Sequence, residues 1–481
     1  MKKRYLIAFA VVITANSFFA TAASAQKIAG GLFYSLSICL DSAVKAWGYN
    51  YYGQLGEGDT INKTIPVDVY GLAGIVAVGA GEYHSLALRK DSTIWSWGNN
   101  SNGQLGNGSL INRSLPVQVL GVTHVAAIAA GQNHSLALKR DSTVWDWGYN
   151  AYGQLGDSTL NLVACQCKEQ AVKVHKLKKI IAIAGGSFHS LALRSDSTVW
   201  AWGSNVDGQL GDSTTTDSPV PVQVHGLTNV IAIAAGGSHS LALKSDSTLW
   251  AWGRNTVGQL GDSTINGEII PIKINALTGI VAIAASITHS MALKSDSAVY
   301  CWGYNYYNQL GDGTLLDAHF PIHTPYVAHV TNIAAGGSHS IALLNDYSMF
   351  GWGNNYYGIG NGTTNTVGCE CVMNAEPVIA FCSKLSVPNL MADDNFITIA
   401  PNPFADKTTI TFSSESNTSK YTLYIRDVLG NNIIQSTINS NQYTIDMSNV
   451  AKGVYFVEVI DNSTSSLKEK KKNYYRKIVV Q

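Results

Sequence analysis

Hydrophobic and polar positions along this chain alternate in one order that recurs seven times. In the copy that opens at Ile231, Ile231-Ala232-Ile233-Ala234-Ala235 is an apolar run closed by Gly236 and Gly237, the pattern of a strand packed on both faces. His239 to Leu243 alternates with a period of two and predicts a second strand. Lys244-Ser245-Asp246-Ser247 reads as a hairpin turn in which the aspartate side chain caps backbone amides. Thr248-Leu249-Trp250-Ala251-Trp252 predicts a third strand whose two tryptophans project to one face, because side chains alternate. Beyond the Gly-Gln-Leu-Gly that follows Trp-Gly in five of the seven copies, an outer strand is expected in Pro219-Val220-Pro221-Val222 or Pro116-Val117, since proline is tolerated on an edge with no further partner.

The register holds from copy to copy. Trp-Gly falls at Trp47, Trp97, Trp147, Trp202, Trp252, Trp302 and Trp352, and upstream of it stand His84, His134, His189, His239, His289 and His339, with Tyr34 in the first copy. Asp41, Asp91, Asp141, Asp196, Asp246, Asp296 and Asp346 fill the turn. Two positions before Trp-Gly come Lys45, Trp95, Trp145, Trp200, Trp250, Tyr300 and Phe350, flat groups expected to fill the space between neighbouring units. Four strands per copy and seven copies predict an all-β fold, a seven-bladed β-propeller over residues 26–385. The first copy opens at Lys27-Ile28-Ala29-Gly30 and the last closes at Pro377-Val378-Ile379, so the terminal strands are expected to complete one shared blade.

Composition narrows the class. The 32 basic and 32 acidic residues balance, and charged residues are 13% of the chain, which leaves no electrostatic footprint for nucleic acid or an anionic membrane. Residues 1–25 carry a basic start (Lys2, Lys3, Arg4), an apolar middle and Ala23-Ser24-Ala25, the layout of a cleaved secretory signal peptide; a retained N-terminal anchor is the alternative. No transmembrane span is expected after signal removal.

Gly-x-x-His-Ser-Leu-Ala-Leu, Trp-Gly-x-Asn and Gly-Gln-Leu-Gly-Asp together resemble the regulator of chromosome condensation repeat family over about residues 27 to 385. The resemblance implies a seven-bladed propeller and says little about activity, because similar propellers serve as a nucleotide-exchange factor for a nuclear GTPase, a photoreceptor and a secreted enzyme inhibitor. The signal peptide argues against the nuclear role. Asn308 in place of a glycine, and the shortened Gly358-Ile359-Gly360, depart from the family words.

After a linker at 386–396, residues 397–481 change in character. Pro401-Asn402-Pro403-Phe404, the Gly453-Val454-Tyr455 strand and the terminal Lys477-Ile478-Val479-Val480-Gln481 resemble the type A C-terminal sorting domain of the type IX secretion system. Alternating strands between Asn, Gly and Ser turns predict a small immunoglobulin-like β-sandwich. The resemblance implies the type IX machinery as a partner and a secreted or outer-membrane surface location; an ordinary accessory domain is the alternative.

Candidate chemistry is sparse. Cys165, Cys167, Cys369, Cys371 and Cys382 are candidates for disulfides, as a Cys371–Cys382 pair or two local Cys-x-Cys links, and zinc would lack ligands, with only His175 near the first loop. The histidine series is expected to make one repeated backbone hydrogen bond. Glu57, Asp157, Asp212, Asp262 and Asp312, with Asn107 and Asn361, are expected in turns. No catalytic constellation stands out, and no metal or cofactor is expected. Fixed words build the scaffold, so recognition is expected where copies differ. Tyr49, Tyr51, Tyr52, Tyr149, Tyr152, Tyr304, Tyr306, Tyr307, Tyr356 and Tyr357 follow the Trp-Gly words, concentrated in blades six, seven and one. Tyrosine offers contact area and a hydrogen bond at low entropic cost, suited to an unidentified protein or glycan ligand. A binding module is therefore expected; a surface hydrolase or lyase at the propeller channel and a structural surface component are the alternatives.

Overall fold

Seven four-stranded antiparallel sheets follow one another along the chain in a computed structural model that describes residues 26–159, 167–365, 370–379, 397–400, 405–412, 421–426, 432–438, 440, 442–450, 453–461 and 473–480. The expected signal peptide and linker lie outside them. The chain divides into Met1–Phe381 and Cys382–Gln481.

Each blade uses consecutive strands in the order inner, second, third, outer. Blade four shows the plan: Ile180–Gly185, His189–Arg194, Val199–Gly203 and Ser218–Gln223. The inner turn and the long third-to-outer loop emerge at one end, here the loop face. The aspartate turns emerge at the other, the turn face. Pro219 and Pro221 lie in the outer strand, where a missing amide donor breaks no ladder.

The expectation of a shared closing blade is wrong. Blade one is complete in Ile28–Gly30, Tyr34–Ile38, Val44–Gly48 and Lys63–Asp68, and blade seven in Val330–Ala335, His339–Leu344, Met349–Asn354 and Cys371–Pro377. The last copy supplies its own outer strand, so no strand is left to exchange. The ring closes instead through side chains and a backbone bond: Ile28 and Trp47 pack with Ile341, Leu343 and Met349, and Gly337 N donates to Gly31 O at 2.9 Å.

The fixed words explain the joint between blades. Asn205 of Trp-Gly-x-Asn folds the loop around itself: its Oδ1 accepts from Leu210 N at 2.9 Å, and its Nδ2 donates to Asp212 Oδ1 at 3.1 Å and Thr214 O at 3.0 Å. This presents the Gln209 carbonyl to the next blade, where it accepts from Trp252 Nε1 and Ser240 Oγ, both at 2.9 Å. Gly211 lies beneath that tryptophan with φ +66°, and a Cβ there would sit 2.7 Å from Trp252 Nε1. Glycine is required twice over, by conformation and by space. The shortened word in blade seven meets the same need, since a Cβ on Gly360 would lie 2.9 Å from Trp47 Nε1.

The histidine rings do not share the expected repeated backbone bond: among the described residues Nδ1 is without a partner in His84, His134, His189 and His239, whereas His339 meets the Leu32 backbone. Each Nε2 instead meets a serine hydroxyl of the following blade: His84–Ser135 at 2.8 Å, His134–Ser190 at 2.9 Å, His189–Ser240 at 3.0 Å, and onward to His339–Ser35 at 2.8 Å. Ser135, Ser190 and Ser240 spend their own protons on glutamine carbonyls, so Nε2 must be the donor, and with Nδ1 of His84, His134 and His189 buried without a partner the imidazole is neutral. Burial, the largest influence in each case, lowers His84, His134, His189 and His289 to about 3 and His239 and His339 to about 4. Tyr34 reaches further in the first copy, donating to His84 O.

The second unit holds two sheets over one core. Ile397–Ala400, Lys407–Phe412 and Gln442–Asp446 form one, and Asn432–Ile438, Tyr421–Arg426, Gly453–Asp461 and Asn473–Val480 the other. Ile410 and Ile445 of the first pack with Leu423, Ile425, Val457 and Val459 of the second. Tyr455 is buried there. Pro401 to Phe404 and Gln481 lie outside the described residues.

Candidate functional site on the loop face

Inner strands from all seven blades line a central cavity of about 430 Å³, mostly with alanine, glycine and isoleucine. Among its described lining residues, the ionisable side chain is Glu82, in the inner turn of blade two. Gln132 Nε2 and Asn133 Nδ2 of blade three donate to Glu82 Oε2 at 2.6 and 3.3 Å, and Asn133 Oδ1 accepts from Gln104 Nε2 at 3.3 Å. Burial raises the Glu82 acid above the usual range, against the pull of those two amides.

Tyr83 follows it and turns toward blade one. Its ring lies 5.7 Å from Tyr49 and 5.1 Å from Tyr52, and Tyr49 lies 4.6 Å from Tyr357, which lies 5.4 Å from Phe33. Tyr51 and Tyr356 extend the group outward at 5.0 and 4.7 Å from their neighbours, and are 66% and 39% exposed. Desolvation, then the charge of the adjacent Glu82, raises the Tyr83 phenol well above its ordinary value. Burial raises Tyr49 and Tyr357 too.

The tyrosines therefore divide differently from the expectation. The joined cluster spans blades seven, one and two. Tyr149 and Tyr152 form a separate group with Phe188 of blade four, and Tyr304, Tyr306 and Tyr307 contact one another. Tyr83, Phe33 and Phe188 escaped the sequence reading because they stand before the histidine, a slot that is polar in most other copies. An aromatic in that slot pairs with an aromatic two residues past the preceding blade's Trp-Gly-x-Asn asparagine. That pairing was the available signal.

The two ends of the propeller differ in charge. Glu57, Glu82, Asp157, Asp212, Asp262, Asp312 and Glu370 put an acid on the loop face in every blade. Basic described residues there are Lys63, Arg113, Lys168 and Arg254; Lys63 is paired with Glu57 and Asp59, both at 2.8 Å, and Lys168 lies 3.9 Å from Asp157. Arg89, Lys139, Arg194, Lys244 and Lys294 close the second strands at the turn face, where Arg194, Lys244 and others lie over the outer aromatic of the third strand. The balanced total conceals this polarity.

The turn reading of the acids holds in the geometry: Asp212, Asp262 and Asp312 each accept from the amide two residues on, at 3.0 Å. Cys39, Cys167 and Cys371 are disulfide-bonded, and Cys301 is a buried free thiol pushed up to about 12 by that burial. No sequence pattern marks Cys39. Cys165, Cys369 and Cys382 lie outside the described residues. Among the described residues no group of His, Cys, Asp and Glu is placed to hold a metal ion, and no helix is long and apolar enough to cross a membrane.

A family model for the RCC1-like domain matches residues 122–400, and models for the regulator of chromosome condensation (RCC1) repeat match 43–88, 91–138 and 75–104. The secretion system C-terminal sorting domain matches 398–481. Curated relatives include the E3 ubiquitin-protein ligase HERC2 of Homo sapiens and of Mus musculus, each 55% identical over 38 residues, which is 8% of this chain and 1% of theirs. Among solved structures, Prp20p from Saccharomyces cerevisiae is similar at a TM-score of 0.64 and 23% identity, covering 80% of this chain and 91% of that one. Human WBSCR16 is similar at 0.63 and 24%, covering 70% and 93%. These likenesses concern the fold.

Proposed function

Given that the chain belongs to the RCC1-like domain family and is delivered to the cell surface or medium by its sorting tail, we propose that it is an exported binding module whose loop face holds a macromolecular ligand. The observation that carries this reading is the joined aromatic cluster of blades seven, one and two. Buried fixed residues build the blades, whereas Tyr51 and Tyr356 stand exposed at the rim of that cluster. Such rings give large contact area for little lost rotamer freedom. Prp20p is described with binding properties to Gsp1p and histones, an example of this fold used for recognition. Non-catalytic action fits the same picture: Asp157, Asp212, Asp262 and Asp312 on the loop face cap their own turns, and the histidines are sealed inside the joints.

Mature protein screened on protein and glycan arrays should yield a ligand whose affinity drops at least about tenfold in a Tyr51→Ala, Tyr356→Ala double variant, the scale of a hot-spot loss. Binding unaltered by that change would move the site elsewhere. Turnover of an arrayed glycan would favour a hydrolase or lyase.

A further inference from the structure

We propose that the loop face accepts a basic polypeptide, with an arginine side chain seated at the mouth of the central channel between the Glu82 carboxylate and the Tyr49, Tyr52 and Tyr83 rings. This rests on the binding reading above and adds the chemistry of the partner.

Three independent features converge on it. Glu82 is the ionisable group among the described channel-lining residues, and the described ion pairs include none to it. Two amides hold its Oε2, which fixes the carboxylate, and among the described residues no donor reaches Oε1. A charge so placed, half out of water with only neutral donors, attracts a cation strongly. Next, the residue that follows this acid, Tyr83, packs its ring on Tyr49 and Tyr52, and a guanidinium suits such a pairing of acid and aromatics: it stacks flat on a ring while its edge donates to a carboxylate. Finally, acids appear on this face in every blade, and two of its four described basic residues are already neutralised by neighbours. An isolated small cation would use only the channel mouth. A chain with several basic residues would use the whole acidic ring, and its approach would be steered by that field.

The test uses the full mature chain and a fluorescein-labelled hexa-arginine peptide, followed by anisotropy in about 50 mM salt, where the Debye length still exceeds 10 Å. Saturable binding that weakens with added salt is expected, with hexa-glutamate inert. Glu82→Gln and Tyr83→Leu should each weaken it about tenfold, Tyr83→Phe by less than about twofold because the ring remains, and Asp207→Asn, elsewhere on the same face, by less than about twofold. Melting curves establish that each variant is folded, and Tyr83→Leu carries the test if Glu82→Gln is not. Equal affinity in folded Glu82→Gln and Tyr83→Leu proteins overturns the proposal, as does equal binding of hexa-glutamate. Displacement of the peptide by tetramethylammonium at matched concentration overturns the polypeptide part. An array ligand lost in the Tyr51→Ala, Tyr356→Ala protein, together with no hexa-arginine binding, sinks this inference and leaves the broader binding reading standing.

Discussion

At the scale of single residues, Asp146 is the exception to the repeat. It occupies the third-strand slot filled elsewhere by Ala46, Ser96, Ala201, Ala251, Cys301 and Gly351, it is fully buried, and neither of its carboxylate oxygens has a hydrogen-bond partner. Burial raises its acid well above the carboxylate range, and the charge of Asp157 adds to this. Because the native pKa exceeds the unfolded one, the native state holds the extra proton. This stability is complete below about pH 4 and is lost as pH rises through the native pKa. Asp146→Ala, the residue of blades one, four and five, should stabilise the protein by about 1–3 kcal/mol at pH 8 and by less at pH 5. Denaturant midpoints at the two pH values check this, and an equal change at both would contradict it.

At the scale of the element, the blade and its joint are where sequence and structure meet most closely. Strand period, aspartate turn and glycine-rich loop were legible because each is a local rule, satisfied within a few residues. The serine accepting from each histidine was not, because that partner lies about one repeat away and its position depends on the ring being closed. The same holds for the Gln209 carbonyl, whose value to the fold lies wholly in the next blade. Two glycines of blade four separate local conformation from this joint. Gly211 and Gly226 have φ of +66° and +68°, but only Gly211 lies under a tryptophan; nothing is within 4 Å of a Cβ at Gly226. Gly226→Ala should cost about 1–2 kcal/mol for the left-handed backbone, and Gly211→Ala about 2–4 kcal/mol, as the methyl also pushes on Trp252. Equal losses in urea melts would mean the joint yields without strain. Of the candidate site, the tyrosines after Trp-Gly were legible from composition, whereas Glu82 and Tyr83 stand in a short turn that no repeated word marks.

At the scale of the whole molecule, the buried histidines act together. Their native pKa values lie near 3 to 4 and the unfolded value is about 6.5, so the unfolded chain binds more protons as pH falls. Their stabilising contribution is therefore complete above about pH 6.5 and is lost as pH drops toward the native values, at up to about 1.4 kcal/mol per histidine per pH unit. The melting temperature should fall steeply between pH 6.5 and 4.5; a constant value across that range would show that the joints tolerate charged imidazoles. The tail acts at the same scale. A chain lacking residues 398–481 should keep the propeller's melting transition but fail to reach the surface, as read by surface proteolysis and fractionation. Undiminished display would assign export to another segment.

Closure without a shared strand also makes the order of the blades arbitrary. The join from blade seven to blade one uses the same histidine–serine bond as the internal joins, with no strand holding the ends together. A chain opened at any other connection between an outer strand and the next blade's inner strand, with the present ends of the propeller linked, should therefore assemble the same circle from a different starting point.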